Sequence, residues 1–275
     1  MKDTDCLTFL QAVLPRLGMR WAGFRRVRKL VCKRVSRRLR ELGVRDLHAY
    51  HAYLENNPAE WRTLDAFCRI PVSRFYRDGG VFDHLERQVL PALAENAARR
   101  GRHELACWSA CCACGEEPYT LAVLWRCRLG HRYPQLRLRV VATDIDAHLL
   151  GRARNGCYGA SSLKALPPDL LAAAFAPSGT QHCIRDEFRQ IEFLQQDIRQ
   201  TVPEGVFDLV LCRNAVLTYF APALQRQVMK RVVARLRAGG ALVVGIHESL
   251  PEDFSELAPW PGGRATYRKF EPGAG

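Results

Sequence analysis

The sequence predicts an α/β fold: a doubly wound, mostly parallel sheet with a small antiparallel β insert, preceded by a small all-α segment. Three observations carry this expectation. From residue 104, strand-like apolar runs alternate with helical patterns (ELACWSA, Glu116–Arg128, LRVVATDI, Ala147–Arg154), the signature of parallel strands joined by crossover helices. Three of the apolar runs end in small or polar turns: ACCACGEEPYT, VVATDID and LVLCRNAVLTYF. Before residue 70 the pattern is helical, with Val31, Val35, Leu39 and Leu42 spaced as one buried helix face.

Taken in order, residues 5–66 read as helices, and Ile70–Asp78 (IPVSRFYRD) links them to a helix over 81–98. The βα alternation from residue 104 breaks near 158–193. There a short helix (PDLLAAAF) is followed by CIRDEF and RQIEFLQ, which read as short strands rather than another βα unit. The parallel pattern resumes with FDLVLCRN, a helix over 223–236, a turn at Ala238-Gly239-Gly240 and the strand ALVVGIHE. The tail PGAG is expected to fray. These readings give a basic helical domain at 1–68, a linker at 69–80, and an α/β domain at 81–275 with its insert at about 158–193.

Composition narrows the class. Apolar residues make up 48% of the 275 residues, ordinary for a globular chain. No apolar run approaches the ~18 residues of a membrane span, and MKDTDCLTFL lacks a signal-peptide layout. A cytoplasmic protein without membrane insertion is expected. The eleven cysteines are odd in number and sit in apolar runs such as LVCKRV, AFCRI and LVLCRN. They read as reduced small hydrophobes rather than a disulfide framework. Cys107, Cys111, Cys112 and Cys114 do not form a paired zinc spacing, so no metal is expected. The net charge of +13 is concentrated between Arg20 and Arg40. Such a patch attracts polyanions without specifying which.

In a doubly wound sheet, ligands bind at the carboxyl ends of the strands. The first such end, Ser109–Gly115, is built of small residues that let a ligand approach the backbone, and Glu116 and Glu117 open the helix behind it. Acids there repel phosphate and suit a cationic ligand. The spacing is not GxGxxG, which argues against a dinucleotide. At the second end, Asp144 suits a ribose diol and Asp146 a helix N-cap. The fourth end presents Cys212-Arg213-Asn214, with Tyr219 one short turn further on.

These segments together resemble the CheR-type chemotaxis-receptor glutamate O-methyltransferases. The family's WSAxxxxGEEPYS-like loop is similar to Trp108–Thr120, its ATDID-like strand end to Ala142–Asp146, and its CRNVxIYF-like strand end to Cys212–Phe220. Its N-x-T-x-F-F-R-D-like segment corresponds to Pro71–Asp78 and its GHSE-like strand to Gly245-Ile246-His247-Glu248. The resemblance implies a Rossmann-like domain that uses S-adenosylmethionine and releases S-adenosylhomocysteine. It implies catalytic roles for Arg77 and Tyr219. Cofactor contacts would come from Ser73, Arg77, Cys111, Glu117, Asp144, Asp197, Ile198, Arg213 and Asn214. It further implies that the 69–80 linker contributes to the active site, that Lys33, Arg34, Arg37 and Arg38 meet acidic methylation helices of a chemoreceptor, and that the β insert can grip a receptor C-terminal peptide. Nothing in the sequence suggests an obligate oligomer, so a monomer is expected.

The chain departs from the family at Pro71, Ala113, Cys114 and Asp197, and keeps only a hydroxyl at Ser73. Pro71 removes a side-chain amide and a backbone donor, and ionised Asp197 cannot donate. Two other functions therefore stay open at this stage. One is a receptor-docking homologue that no longer transfers methyl groups. The other is a methyltransferase for another substrate, although no RNA-binding module or aromatic platform is visible and nucleic acid is not an expected partner.

Overall fold

The computed structural model describes residues 3–270, so the PGAG tail lies outside the described residues. The chain divides into two compact units, Met1–Pro71 with Thr218–Arg226, and Val72–Leu217 with Gln227–Gly275. The segment 218–226 was expected within the α/β domain; in the structure it belongs with the helices.

The helical unit is built from Asp3–Val13, Trp21–Phe24, Arg28–Leu42, Leu47–Asn56 and Glu60–Phe67. Val31, Val35 and Leu39 are buried as the helical spacing predicts, beside Leu10, Phe24, Tyr50 and Leu64, with Leu42 packed at the edge of this core. Gly43 ends the Arg28–Leu42 helix in the left-handed conformation, its N–H turned back to the Arg40 and Leu39 carbonyls. Asp46 caps the next helix by accepting from the Ala49 N–H at 2.8 Å.

The second unit is a sheet-and-helix domain. Its strands are β1 (Glu104–Ala110), β2 (Arg137–Asp144), β3 (Cys157–Gly159), β4 (Phe175–Ser178), β5 (Gln181–Ile184), β6 (Ile191–Gln195), β7 (Phe207–Leu211), β8 (Leu236–Val243), β9 (Leu257–Pro259) and β10 (Thr266–Lys269). The main sheet has the order β6-β2-β1-β7-β8-β10-β9. It is parallel from β6 to β8, with β10 and β9 antiparallel at the far edge. Strand β7 is buried along its whole length, as expected of a strand covered on both faces. Leu105, Cys107, Val140, Leu209 and Val243 lie in the core between sheet and helices.

Four sequence expectations are corrected. RQIEFLQ supplies β6, which lies parallel to β2 in the main sheet, with Val140 opposite Ile191. The alternation is therefore interrupted rather than broken: the three-stranded sheet β3-β5-β4 is spliced into the crossover between β2 and β6. Ile191 and Phe193 of β6 pack on Ala142 and Leu150, which explains why that run is apolar. Second, Ala238-Gly239-Gly240 is a bulge inside β8 rather than a turn before it. Phe207 faces Leu236 while Leu209 faces Ala241, and Gly239 takes a φ of 76°. Third, β8 ends at Val243, so Gly245–Glu248 is a loop. Fourth, Cys6–Cys32 and Cys157–Cys183 are disulfide-bonded, leaving seven free thiols. The first pair joins two packed helices and the second joins facing strand residues. Neither proximity is visible from composition. Among the described residues, no helix is long and apolar enough to cross a membrane.

Candidate functional site

The C-terminal ends of β6, β2, β1 and β7 lie side by side in the sheet, and there the backbone is strained. The five non-glycine residues with positive φ among the described residues are Tyr76 (54°), Asp78 (61°), Cys111 (58°), Ala113 (49°) and Asn214 (55°). They fall in the linker, in the loop after β1 and at the end of β7. Such conformations cost about 1–3 kcal/mol each and persist where surrounding structure enforces them.

The enforcing bonds are explicit. The loop after β1 is held by Cys112 N–H donating to the Thr143 carbonyl (2.9 Å) and Ala113 N–H donating to Asp144 Oδ2 (2.9 Å). Gly115, at a φ of 86°, has no room for a side chain: a Cβ would lie 2.8 Å from the Ala153 Cβ. Asn214 is held by Glu248, whose Oε2 accepts from the Asn214 N–H (2.9 Å) and the Gly245 N–H (2.7 Å).

Arg213 ties these segments together. Its side chain is 2% exposed and forms ion pairs with Asp78 at 2.8 Å and Glu117 at 3.1 Å. It also donates to the Arg77 carbonyl at 2.9 Å and lies over the Phe82 ring. The other oxygen of Glu117 accepts from Ser109 Oγ at 2.8 Å. One buried cation thus fixes the linker to the helix that follows the loop after β1. Arg77 itself is half-buried. Its Nη1 donates to the Val72 carbonyl at 2.7 Å, closing a short loop that contains Ser73.

The electrostatics are acidic. Burial, followed by the carboxylates of Asp144, Asp197, Glu117 and Glu248, pushes the Cys111 thiol well up from its ordinary value. Cys114 is pushed up to about 11 by burial first and Glu116 second. Both thiols therefore stay protonated at neutral pH and are poor nucleophiles. Asp197 opens a turn after β6, where its carboxylate accepts from the Arg199 backbone and guanidinium at 2.9 Å, and Ile198 beside it is buried. Asp146 caps the Ala147–Asn155 helix through the His148 and Leu149 N–H groups. Among the described residues, no group of three His, Cys, Asp or Glu side chains is placed to hold a metal ion.

Of the residues singled out in the sequence, Ser73, Arg77, Cys111, Glu117, Asp144, Asp197, Ile198, Arg213 and Asn214 fall in the sheet unit. Tyr219 falls in the helical unit. Its ring packs on Phe24 with centroids 5.1 Å apart, and its carbonyl accepts from the Arg20 N–H at 2.9 Å. Two arginines expected to face a partner turn inward instead. Arg34 donates to the Phe67 and Arg69 carbonyls at 2.7 and 2.6 Å. Arg38 is paired with Glu60, which is nearly buried, at 2.8 Å, and with Glu41 at 3.2 Å. Asp78, Ser109 and Glu248 were not picked out as site residues, although Asp78 and Glu248 end the RFYRD and GIHE segments that the sequence offered.

A doubly wound sheet with a ribose-suited acid after β2, and carboxylates where a nucleotide site would place phosphate donors, fits an adenosyl ligand carrying positive charge. The fold and site define an S-adenosylmethionine-dependent methyltransferase. Residues 71–261 match the family described as CheR methyltransferase, SAM binding domain, and residues 27–64 match CheR methyltransferase, all-alpha domain. The chain belongs to the CheR methyltransferase family. It is 34% identical to a chemotaxis protein methyltransferase of Salmonella typhimurium, over 94% of this chain and 86% of that protein. It is 33% identical to the chemotaxis protein methyltransferase of Escherichia coli, over 94% and 87%. It is also 34% identical to an uncharacterized 104.1 kDa protein of Rhodobacter capsulatus, spanning 83% of this chain but 24% of that much longer protein. The chain is thus a methyltransferase of the chemotaxis type that uses S-adenosylmethionine.

Proposed function

We propose that this chain forms methyl esters on glutamate side chains of chemoreceptor cytoplasmic helices. The observation that carries the proposal is its similarity to chemotaxis protein methyltransferases along 94% of its length. The distribution of charge supports it, with a carboxylate-lined cofactor site in one unit and an exposed basic helix face in the other.

S-adenosylmethionine supplies an electrophilic sulfonium methyl, which a glutamate carboxylate takes to leave S-adenosylhomocysteine and a methyl ester. A free glutamate has a pKa near ~4.3, so the nucleophile is already ionised at neutral pH and needs no general base. Opposite charges vanish in this reaction, and a site that excludes water favours it. The work left to the protein is alignment. Asp144 takes the ribose hydroxyls, Glu117 and the backbone at Cys111 face the methionine end, and Asp197 and Ile198 flank the adenine. Ser73 and Asn214 contribute at the pocket wall. Arg213 acts by holding Asp78 and Glu117 in place.

Arg77 orients the substrate carboxylate, for which a guanidinium is suited. Tyr219 is assigned the second catalytic role from its place in the Cys212–Phe220 motif. Docking uses the outward face of the Arg28–Leu42 helix. Lys29, Lys33, Arg37 and Arg40 are exposed there and recur at one-face spacing. Lys33 and Arg37 remain from the sequence expectation, whereas Arg34 and Arg38 serve the fold. A receptor C-terminal peptide would add to an edge of the small sheet. The protein acts as a monomer in the cytoplasm, where the methylation helices lie.

The test is incubation with methyl-labelled S-adenosylmethionine and a chemoreceptor cytoplasmic fragment, followed by mild base. Release of labelled methanol, lost when the acceptor glutamates are changed to alanine, is the expected result. Label that resists base would overturn the carboxyl-ester assignment.

A further inference from the structure

One side chain connects the small sheet to the cofactor loop. Tyr158, the middle residue of β3, is 3% exposed, and its hydroxyl donates to the Cys114 carbonyl at 2.7 Å. Its ring stands edge-on to Phe75, with centroids 4.7 Å apart, and meets Phe175 of β4 at 6.3 Å. Phe75 lies two residues before Arg77, and its N–H donates to the Ser162 carbonyl at 3.0 Å. Tyr158 therefore touches the cofactor loop and the linker at once. Burial raises the pKa of its hydroxyl, which keeps it a donor through the neutral range.

The strand that carries Tyr158 is weakly supported by its own ladder. It has three residues and lies at the edge of its sheet with β5 as its partner strand, and pairs this short are marginal. The Cys157–Cys183 bridge joins two residues that face each other in that ladder, with Cα atoms 4.0 Å apart. The crosslink is one residue from Tyr158. Both cysteines are partly exposed.

We propose that Tyr158 is a positioning residue for the cofactor loop, and that the Cys157–Cys183 bridge fixes the strand carrying it, so that breaking the bridge weakens S-adenosylmethionine binding. The reductant is a dithiol. The Cys157–Cys183 bond breaks, two electrons and two protons pass to the two sulfurs, and the dithiol leaves as its own disulfide. The small sheet thereby becomes a structural part of the cofactor site. The proposal depends on the cofactor and not on the identity of the receptor.

The test is calorimetric titration of S-adenosylhomocysteine into the full chain. Tyr158→Phe removes the hydroxyl and leaves the Cys114 carbonyl unpaired, and is expected to weaken binding about tenfold. In turnover assays the same variant should raise KM for S-adenosylmethionine by a similar factor while kcat changes by less than about twofold, the mark of lost binding common to ground and transition states. For the bridge, the parent is a Cys6→Ala/Cys32→Ala chain, in which Cys157–Cys183 is the disulfide left to reduce. Dithiol treatment, verified by thiol counting, should weaken binding roughly three- to tenfold by loosening a short edge strand. Cys157→Ala/Cys183→Ala in the otherwise unchanged protein should reproduce that loss without a reductant. Affinity within about twofold of the parent in Tyr158→Phe would overturn the positioning role. Affinity that does not respond to verified reduction would overturn the role of the bridge. Because the reduction arm changes no residue near the site, it does not depend on the Tyr158 variant folding.

Discussion

The two units use charge in opposite ways. In the helical unit, acids are consumed in holding arginines. Glu60 accepts from Arg38 at 2.8 and 2.9 Å and from the Tyr50 hydroxyl at 2.9 Å, while Lys29, Lys33, Arg37 and Arg40 remain on the outside. At the strand ends of the sheet unit, by contrast, one arginine is consumed in holding acids. Arg213 is buried between Asp78 and Glu117, and Asp144, Asp197 and Glu248 add negative charge around Cys111. Under the proposed function the basic face suits an acidic substrate surface, and the acid-lined strand ends suit a cationic cofactor. A net charge of +13 describes neither place. The lesson is that the charges facing inward hold each unit together, whereas the outward ones are those that the proposed function assigns to partners.

The sharpest way to break this comparison is Arg213→Ala. It leaves two carboxylates without their buried partner, and removal of one member of a buried ion pair typically costs about 3–5 kcal/mol. Denaturant unfolding should show a loss of that size, and S-adenosylhomocysteine binding should disappear. Next in size are Arg77→Ala and Tyr219→Phe, which should lower turnover about 100-fold through lost alignment, a larger loss than either causes in cofactor affinity. Unchanged turnover in both would remove them from the mechanism.

Smaller effects are expected within the basic helix, where neighbouring arginines should behave differently. Arg38→Ala should destabilise the helical unit by about 2 kcal/mol, because it strands the nearly buried Glu60. The Arg38 hydrogen bond holds the Glu60 carboxyl below its ordinary value against the opposing effect of burial. A depressed carboxylate contributes stability that is present above the unfolded pKa, near ~4.3 for glutamate, and is lost as pH falls through the lower folded value. Unfolding measured across that acid range should therefore show a steeper loss in the parent than in Glu60→Gln. Lys33→Ala and Arg37→Ala should change stability by less than about 0.5 kcal/mol. They should instead slow receptor association and reduce its dependence on salt. Equal stability losses in Arg38→Ala and Arg37→Ala would contradict the division between inward and outward charge.

Much of this arrangement was legible because it depends on local chain chemistry. The alternating apolar runs located β1, β2 and β7, and the turns after them located the Cys111 loop, Asp144 and Asn214. Asp146 was readable as a cap because capping involves residues two and three positions away. What escaped depends on contacts distant in sequence. Cys157 meets Cys183 only because β3 and β5 pair in one register. Tyr158 reaches Cys114 across 44 residues, and Arg38 reaches Glu60 across 22. Helical periodicity marked the face carrying Val31, Val35 and Leu39. It did not show that Arg34 and Arg38, on the boundary of that face, would be drawn to carbonyls and carboxylates of a neighbouring segment. Ala238-Gly239-Gly240 has the composition of a turn. Its role as a bulge follows from the facing strand, where a Cβ at Gly240 would lie 2.9 Å from the Asp208 carbonyl.

The measurement that tests the central claim most directly is calorimetric titration of S-adenosylhomocysteine into the purified chain, with Asp144→Asn beside it. The account predicts one site per chain with micromolar-range affinity, weakened in the variant that removes the carboxylate from the end of β2. A folded chain that releases no heat on titration would contradict the assignment of the acid-lined strand ends as the cofactor site.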